Sequence, residues 1–483
     1  MLRRAPGPRI LPYIGCAWTY FPIIGHGDDP ERLHEVYQRK YEKYGPVVYE
    51  VFGKKRVLSV YDPSDIRKVL TSTRKHGCAR RYSHDILKEF RRSRPDLFSS
   101  VGLIPSQDEE WFNLRKTFGD IFLYSEVKKY YPAIHNVAEE FVNYLGLLAK
   151  RSGHNEVKDV IEKLHHWALE NICKILLGIR LDQFSFRRKD ICDEIISTGL
   201  EFVIALKKAE VTSSWNYYEN KVSRQVKKCD LFFYNYIKNH VHEIESEVSN
   251  YRQGKSEEPC LLAKYLRMPG VDVRDAITTA SDILVAGHLS TAFAAAAVLY
   301  NLGQNLDKQD VLYEILCDHV QKLDDPLTYA TVHKKVPYLD DCYREALRLN
   351  PVTIGIGRAL VTDEMYDGIL YKAGTNIITQ NQVASRLPAY IDSPMSFRPE
   401  RWNGTQCPVQ SQSISYFLSL PFGVQPRICL GKSLTEIQTL TLIAMIVRRY
   451  RIITTSPDNL TVKTLLLNVP DQSIDIQFIP RKD

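Results

Sequence analysis

Pro421-Phe422-Gly423-Val424-Gln425-Pro426-Arg427-Ile428-Cys429-Leu430-Gly431 sets two glycines and two prolines around one cysteine and opens directly into an apolar helix. A thiol at that point faces unpaired helix N–H groups and the positive end of the helix dipole, which favour thiolate over thiol. A thiolate on a rigid loop serves as a nucleophile, a redox thiol or an axial metal ligand. No second cysteine lies within a few residues, which argues against a CxxC redox pair and a four-ligand zinc site. Arg427 stands two residues before the sulfur, where a cation can pair with an anionic cofactor edge, and Gly431 leaves room for a flat group to come close. The plainer reading is a helix-capping loop around a buried, inert cysteine.

The rest of the chain bounds the choice. Its 483 residues, 44% hydrophobic, are ample for a large core. Sixty-four basic against fifty-seven acidic residues give a net charge of +7. With no arginine-rich or RNP-like segment, that excess is too weak to imply nucleic acid. It suits an acidic protein partner or an anionic membrane surface. Ten cysteines spread singly along the chain read as a reduced compartment without a disulfide framework. No apolar run is expected to span a bilayer; the longest, Ile283 to Leu302, carries Gly287, His288 and Ser290 and reads as a buried core helix. The hinge Ala5-Pro6-Gly7-Pro8-Arg9 leaves no room before it for a leader or anchor, so the expectation is a chain without one, or a processed or truncated form.

In chain order, residues 1–15 form a stiff proline-rich lead-in and residues 16–483 a single domain. Asp29-Pro30 starts an amphipathic helix with Leu33, Val36, Tyr37, Tyr41 and Tyr44 on one face, ending at Gly45-Pro46. Val47 to Val60 reads as a hairpin turning at Gly53-Lys54. Helical periodicity dominates from Ser125 to Asn250, a polar break follows at Arg252 to Pro259, and helices resume from Asp272 to Asn350. Strand-like segments close the chain at Leu465-Leu466-Leu467 and Ile474 to Phe478. The order is mostly α with small sheets at both ends, and it lacks the βαβ rhythm of a nucleotide fold.

Three further segments carry chemistry. Glu345-Ala346-Leu347-Arg348 places an acid and a base on one helix face, which alone would be an ordinary solvated pair. Phe397-Arg398-Pro399-Glu400-Arg401-Trp402 follows, and the cysteine loop comes after it. Trp111-Phe112-Asn113-Leu114-Arg115 sets an indole N–H and a guanidinium one turn apart, both able to donate to a carboxylate. In this order and spacing the chain resembles the cytochrome P-450 superfamily. Phe422, Gly423, Arg427, Cys429 and Gly431 match its Phe-Gly-x-Gly-x-Arg-x-Cys-x-Gly loop, with Gln425 in place of the second glycine. The resemblance implies a mainly α fold with small β-sheets, holding haem b between a distal and a proximal helix. It makes Cys429 the iron ligand and Trp111, Arg115, Arg358, Phe422, Arg427 and Gly431 cofactor-binding. Glu345, Arg348 and Arg401 become a structural triad behind the haem.

By the same resemblance the helix from Asp272 to Gly303 is distal, and Ser290 and Thr291 are its catalytic alcohols. Aligning on Ala286-Gly287 puts Leu289 where the superfamily has an acid, and His288 is a polar group nearby. The Pro-Gly-Pro-Arg-x-Leu-Pro lead-in, Arg398 to Trp402 and the tail look most like the animal mitochondrial clan of steroid, vitamin D and ecdysteroid hydroxylases. That clan takes electrons from a ferredoxin through basic residues, here Arg344, Lys432, Arg448 and Arg449, although Asp340 and Ser433 replace two usual cations. The implied protein is a monooxygenase of a lipophilic, sterol or ecdysteroid-like substrate. Its thiolate favours O–O cleavage, and it sits peripherally on the matrix side of the mitochondrial inner membrane, or on the endoplasmic reticulum if truncated. Leu289 in the acid's place keeps open a lipid-peroxide isomerase or dehydratase needing no electron donor, and Leu289 together with Gln425 keeps open a non-enzymatic haem-binding or helical scaffold protein.

Overall fold

The computed structural model describes residues 5–23, 25–75, 80–81, 84–184, 190–211, 214–251, 259–320, 325–402, 417–456 and 460–481. Most of the expected polar break after Asn250 lies outside them. In chain order the helices are α1 (Leu33–Tyr44), α2 (Pro63–Lys75), α3 (Asp85–Arg92), α4 (Asp108–Gly119), α5 (Tyr124–Val127), α6 (Tyr131–Arg151) and α7 (Val160–Leu177). There follow α8 (Asp190–Val211), α9 (Lys221–Tyr251), α10 (Leu261–Leu266), α11 (Val273–Gln304), α12 (Leu306–His319), α13 (Pro337–Leu349), α14 (Asn381–Ala384) and α15 (Lys432–Arg449). The expected hairpin is β1 (Val47–Phe52) and β2 (Lys55–Val60), antiparallel with Val47 opposite Val60. It joins β7 (Asn376–Thr379), parallel to β2, and the edge strand β4 (Ile356–Ala359), while β3 (Glu156–Val157) and the hairpin of β5 (Glu364–Tyr366) with β6 (Ile369–Tyr371) lie outside this sheet. The tail strands pair as Val462–Leu465 with Leu467–Pro470, turning at Leu466, and as Ile476–Pro480 between Tyr450–Thr454 and Glu156–Val157. The fold is thus mainly α with several small sheets. One boundary moves: α1 begins at Leu33, three residues after Pro30.

Among the described residues one helix, α11, is long and apolar enough to cross a membrane, and it runs through the core instead. Asp272 caps it, its side chain accepting from the Arg274 N–H. Alanines 292 and 294–297 let α7, α13 and α15 close around it in one apolar cluster. His288 belongs to this packing and not to a ligand-facing surface. It is fully buried, Nδ1 lies 2.7 Å from the Leu284 carbonyl oxygen, and a Cβ at Gly199 of α8 would meet its ring at 3.0 Å. His165 on α7 stands edge-on to Phe293 of α11. Burial lowers both histidines, His288 to about 4 and His165 to about 3.

Behind the cysteine loop the isolated i,i+3 pair becomes a buried hub. Glu345 and Arg348 are both inaccessible to solvent. The Glu345 carboxylate accepts from Arg348 Nε and Nη2 at 2.9 and 2.8 Å, Arg401 Nε at 2.7 Å, Trp402 Nε1 at 3.0 Å and the Arg398 N–H at 3.1 Å. Arg348 spends Nη1 on the carbonyls of Ser385 and Pro394, at 2.8 and 2.7 Å. A buried carboxylate is tolerated only when its oxygens are filled in this way. Trp402 and the Arg398 N–H were not anticipated from the sequence.

Two outcomes are expected. Glu345→Ala strands two guanidiniums and costs about 3–5 kcal/mol by chemical denaturation, with loss of the folded fraction in cells. Because both buried histidines sit below the ordinary 6.5, the folded state binds fewer protons at these two sites than the unfolded one. The stability they contribute is therefore complete above about pH 6.5 and falls as pH drops toward about 4. Urea midpoints measured between pH 7 and 5 check this, and His288→Leu flattens the slope.

Candidate functional site

The loop before α15 is fixed on both sides. Gly423 has a φ of 70°, a left-handed turn that favours glycine. The Cys429 N–H donates to the Phe422 carbonyl at 2.8 Å, and the Phe422 ring stacks on Tyr343 of α13. α15 then starts at Lys432 with Gly431 as its cap, and the N–H groups of Gly431 and Lys432 donate to the Cys429 sulfur. Those donors and the charges of Arg115 and Arg81 favour thiolate, as the helix terminus implies, but burial outweighs them and raises the thiol above its ordinary value. The residue nevertheless keeps accessible surface while its sulfur is deep among protein atoms. It faces an internal space and not the outer surface.

Cations gather round that space. Arg427 lies over the Trp111 ring at 3.7 Å and donates to the Ser106 carbonyl and, at 3.1 Å, to Gln107 Oε1. Arg358, on β4, is 3% exposed; Nη1 donates to the Gly357 carbonyl and Nε has no partner. Arg115, on α4, makes no hydrogen bond or ion pair among the described residues. Arg81, which the sequence reading missed, gives Nη2 to the Ile104 carbonyl at 2.7 Å and acts electrostatically on both Cys429 and Arg358. Burial lowers Arg81, Arg115 and Arg358, the last to about 10. None of these three pairs with a carboxylate among the described residues. Buried, mutually repelling guanidiniums are costly unless an anion joins them. Two carboxylates at the edge of a haem would answer that demand, with Cys429 Sγ available to its iron. The residues present fit the group.

α11 packs against α15, the helix that begins beside Cys429. In the middle of α11, which is largely buried, Ala286 is exposed, and Ile283, Gly287 and Ser290 are partly so. The four share one face by their i, i+3, i+4, i+7 spacing. Ser290 Oγ donates to the Ala286 carbonyl at 2.7 Å, leaving its lone pairs toward that face. Thr291 departs from expectation. It is 2% exposed and its hydroxyl meets Thr435 of α15 at 3.2 Å, because the next residue on a helix turns about 100° away. It tethers the two helices and lies off the accessible face.

The proposed basic patch divides. Arg344 is exposed and paired with Asp340 at 2.8 Å, and Lys432 is partly exposed and 3.6 Å from Glu436. Arg448 and Arg449 sit at the far end of α15, about 24 Å along the helix from Lys432. Arg448 is buried and donates to the Asp325 carbonyl, while Arg449 is held by Asn143 and Glu139. They do not extend the surface beside Cys429. Lys128, Lys334 and Lys335 are exposed on segments flanking α5 and α13, next to α15, and were overlooked because two stretches far apart in sequence carry them.

The comparisons with known proteins agree with this geometry. Residues 6–478 match the family model for Cytochrome P450. The chain is 31% identical to Cytochrome P450 302a1, mitochondrial, of Drosophila melanogaster, covering 99% of this chain and 95% of that one. It is 26% identical to Ecdysone 20-monooxygenase of the same fly, over 92% and 82%. It is 28% identical to 25-hydroxyvitamin D-1 alpha hydroxylase, mitochondrial, of Rattus norvegicus, over 93% and 90%. A cysteine loop opening into an apolar helix, the cations beside it and a family match over nearly the whole length lead to one conclusion: the chain belongs to the cytochrome P450 family and is a haem–thiolate monooxygenase.

Proposed function

We propose that this P450 hydroxylates a sterol- or ecdysteroid-like substrate in the mitochondrion with O2 and electrons from a ferredoxin. Cys429 would bind the haem iron, Arg81, Arg115, Arg358 and Arg427 with Trp111 would take its carboxylates, and Phe422 and Gly431 shape the thiolate loop. The observation that carries the reading is the convergence on Cys429 of cations that have no carboxylate partner among the described residues. When bound, haem supplies oxygen activation supported by the thiolate's electron push. The chain supplies the rest: α11 offers a low, apolar wall at Ile283 and Ala286, and Ser290 offers a hydroxyl able to hold a proton at Oγ. With Leu289 buried at 1% and no acid there, Ser290 acts without a carboxyl neighbour on its own turn.

Substrate class and compartment rest on the relatives' names, which include ecdysone, 25-hydroxyvitamin D and the word mitochondrial. Their naming as monooxygenase and hydroxylase favours this reading over a donor-independent rearrangement or a non-catalytic role. Ile10, Tyr13, Ile14, Phe21 and Ile23 are exposed near the amino-terminal end, as are Tyr217 and Tyr218. Such apolar exposure supports peripheral attachment to a membrane. The ferredoxin docks on Arg344, Lys432, Lys128, Lys334 and Lys335, a cationic surface on the cysteine side that an acidic carrier complements.

A reconstituted assay with ferredoxin, its reductase and a panel of ecdysteroids, sterols and secosteroids tests the proposal. Hydroxylated product that needs both O2 and the ferredoxin is expected; donor-independent conversion would overturn it. Replacing Lys334, Lys335 and Arg344 together by Glu lowers ferredoxin-driven turnover about tenfold at low salt, while dithionite still reduces the haem at the wild-type rate.

A further inference from the structure

A second buried ion cluster lies away from the cysteine, and the chemistry above does not use it. Arg91 of α3 is 2% exposed and raised by two carboxylates. Its Nε and Nη2 donate to Asp230 of α9 at 3.1 and 2.6 Å, and Nη2 also donates to Asp282 of α11 at 2.8 Å. The third arm, Nη1, donates to the Val101 carbonyl at 2.9 Å. Asp282 in turn accepts the Ile104 N–H at 3.3 Å through its other oxygen. One guanidinium therefore ties three helices to the segment between Ser100 and Gln107.

That segment is a strap with two ends. At the first, Ser100 Oγ donates to Asp275 at 2.6 Å, and the Val101 N–H donates to Glu110 at 3.1 Å, one residue before Trp111. Gly102 has a φ of 81°, and a Cβ there would fall 2.3 Å from Arg91 Nη1, so the strap passes directly over the guanidinium. At the second end the strap provides the acceptors for two cofactor-side cations. The Ile104 carbonyl takes Arg81 Nη2, Gln107 Oε1 takes the Arg81 N–H at 3.2 Å and Arg427 Nη2 at 3.1 Å, and the Ser106 carbonyl takes Arg427 at 3.3 Å.

We propose that Arg91 is a positioning residue: through Asp282 and the Ser100–Gln107 strap it sets where Arg81 and Arg427 stand, and through Asp230 it makes that placement depend on the seating of α9. The inference rests on the haem reading of the site. The physical reason is that a planar fork with three engaged arms can hold two carboxylates and a carbonyl in one register, which an ammonium cannot. Groups that orient a bound group's direct partners govern its affinity strongly. Loosening the strap moves Arg81 and Arg427 back from the cofactor's carboxylates. Uncompensated negative charge beside the iron then disfavours the electron-rich reduced state, so the reduction potential falls.

The test uses the haem-loaded protein. Arg91→Lys, Asp230→Asn and, as a control, Glu50→Gln are compared. The control breaks another buried ion pair, Lys40–Glu50 at 2.6 Å, whose residues touch none of the strap. Heme transfer to excess apomyoglobin and spectroelectrochemical titration are the readouts. Arg91→Lys is expected to release haem about tenfold faster and to shift the midpoint potential negative, with Asp230→Asn moving both in the same direction by less. Glu50→Gln is expected to lower thermal stability and leave both unchanged. If Arg91→Lys does not fold, Asp230→Asn decides alone. Wild-type transfer rate and potential in the strap variants overturn the inference while leaving the haem reading intact. A wild-type protein that retains no haem would overturn that reading instead.

Discussion

Glu345 has no access to water, so every lone pair it carries has to be answered by the chain, and meeting that demand organises the surroundings of the cysteine. Its donors come from α13 itself and from Arg398, Arg401 and Trp402, some 50 residues downstream in sequence. Arg348, fixed by the same carboxylate, reaches the backbone at Ser385 and Pro394. The result is a rigid platform of α13 on which Phe422 stacks through Tyr343, and from which the cysteine loop is suspended. Ion pairs of this kind add little net stability over apolar packing. What they add is geometry, since few other arrangements fill the same oxygens.

On the other side of the loop the constraint is inverted. Around Cys429 the chain leaves charges unanswered, with Arg358 buried, Arg81 and Arg115 partly buried, and all three lacking a carboxylate among the described residues. The Glu345 hub is thus satisfied within the chain, while the cations at Cys429 suit a dianionic partner. The alanine-rich second half of α11 packs against α13 and α15, while its middle leaves Ala286 exposed and Ser290 partly so.

What could be read in the sequence was whatever is local. The cysteine loop, the β1–β2 hairpin, the extent of α11 and the Glu345/Arg348 pair are short-range patterns of spacing and turn chemistry. What could not be read was convergence. Arg81 comes from a stretch with no motif, and nothing in sequence marks it as a neighbour of Arg358. The Arg91–Asp230–Asp282 cluster joins residues about 140 and 190 positions apart. The opposite error has the same origin: Arg448 and Arg449 look like part of a basic patch because they share a helix with Lys432, yet the helix length carries them to its far end. Thr291 was grouped with Ser290 by adjacency, although neighbours on a helix face different directions.

The central claim is that Cys429 is the thiolate ligand of a haem held by the surrounding cations. The most direct measurement is the absorption spectrum of the dithionite-reduced, carbon-monoxide-bound protein, recorded for the wild type and for Cys429→Ala. The account expects the red-shifted Soret band of thiolate-ligated haem in the wild type and its loss in a variant that remains folded by circular dichroism. A folded wild type without that band, or an identical band in Cys429→Ala, would contradict it.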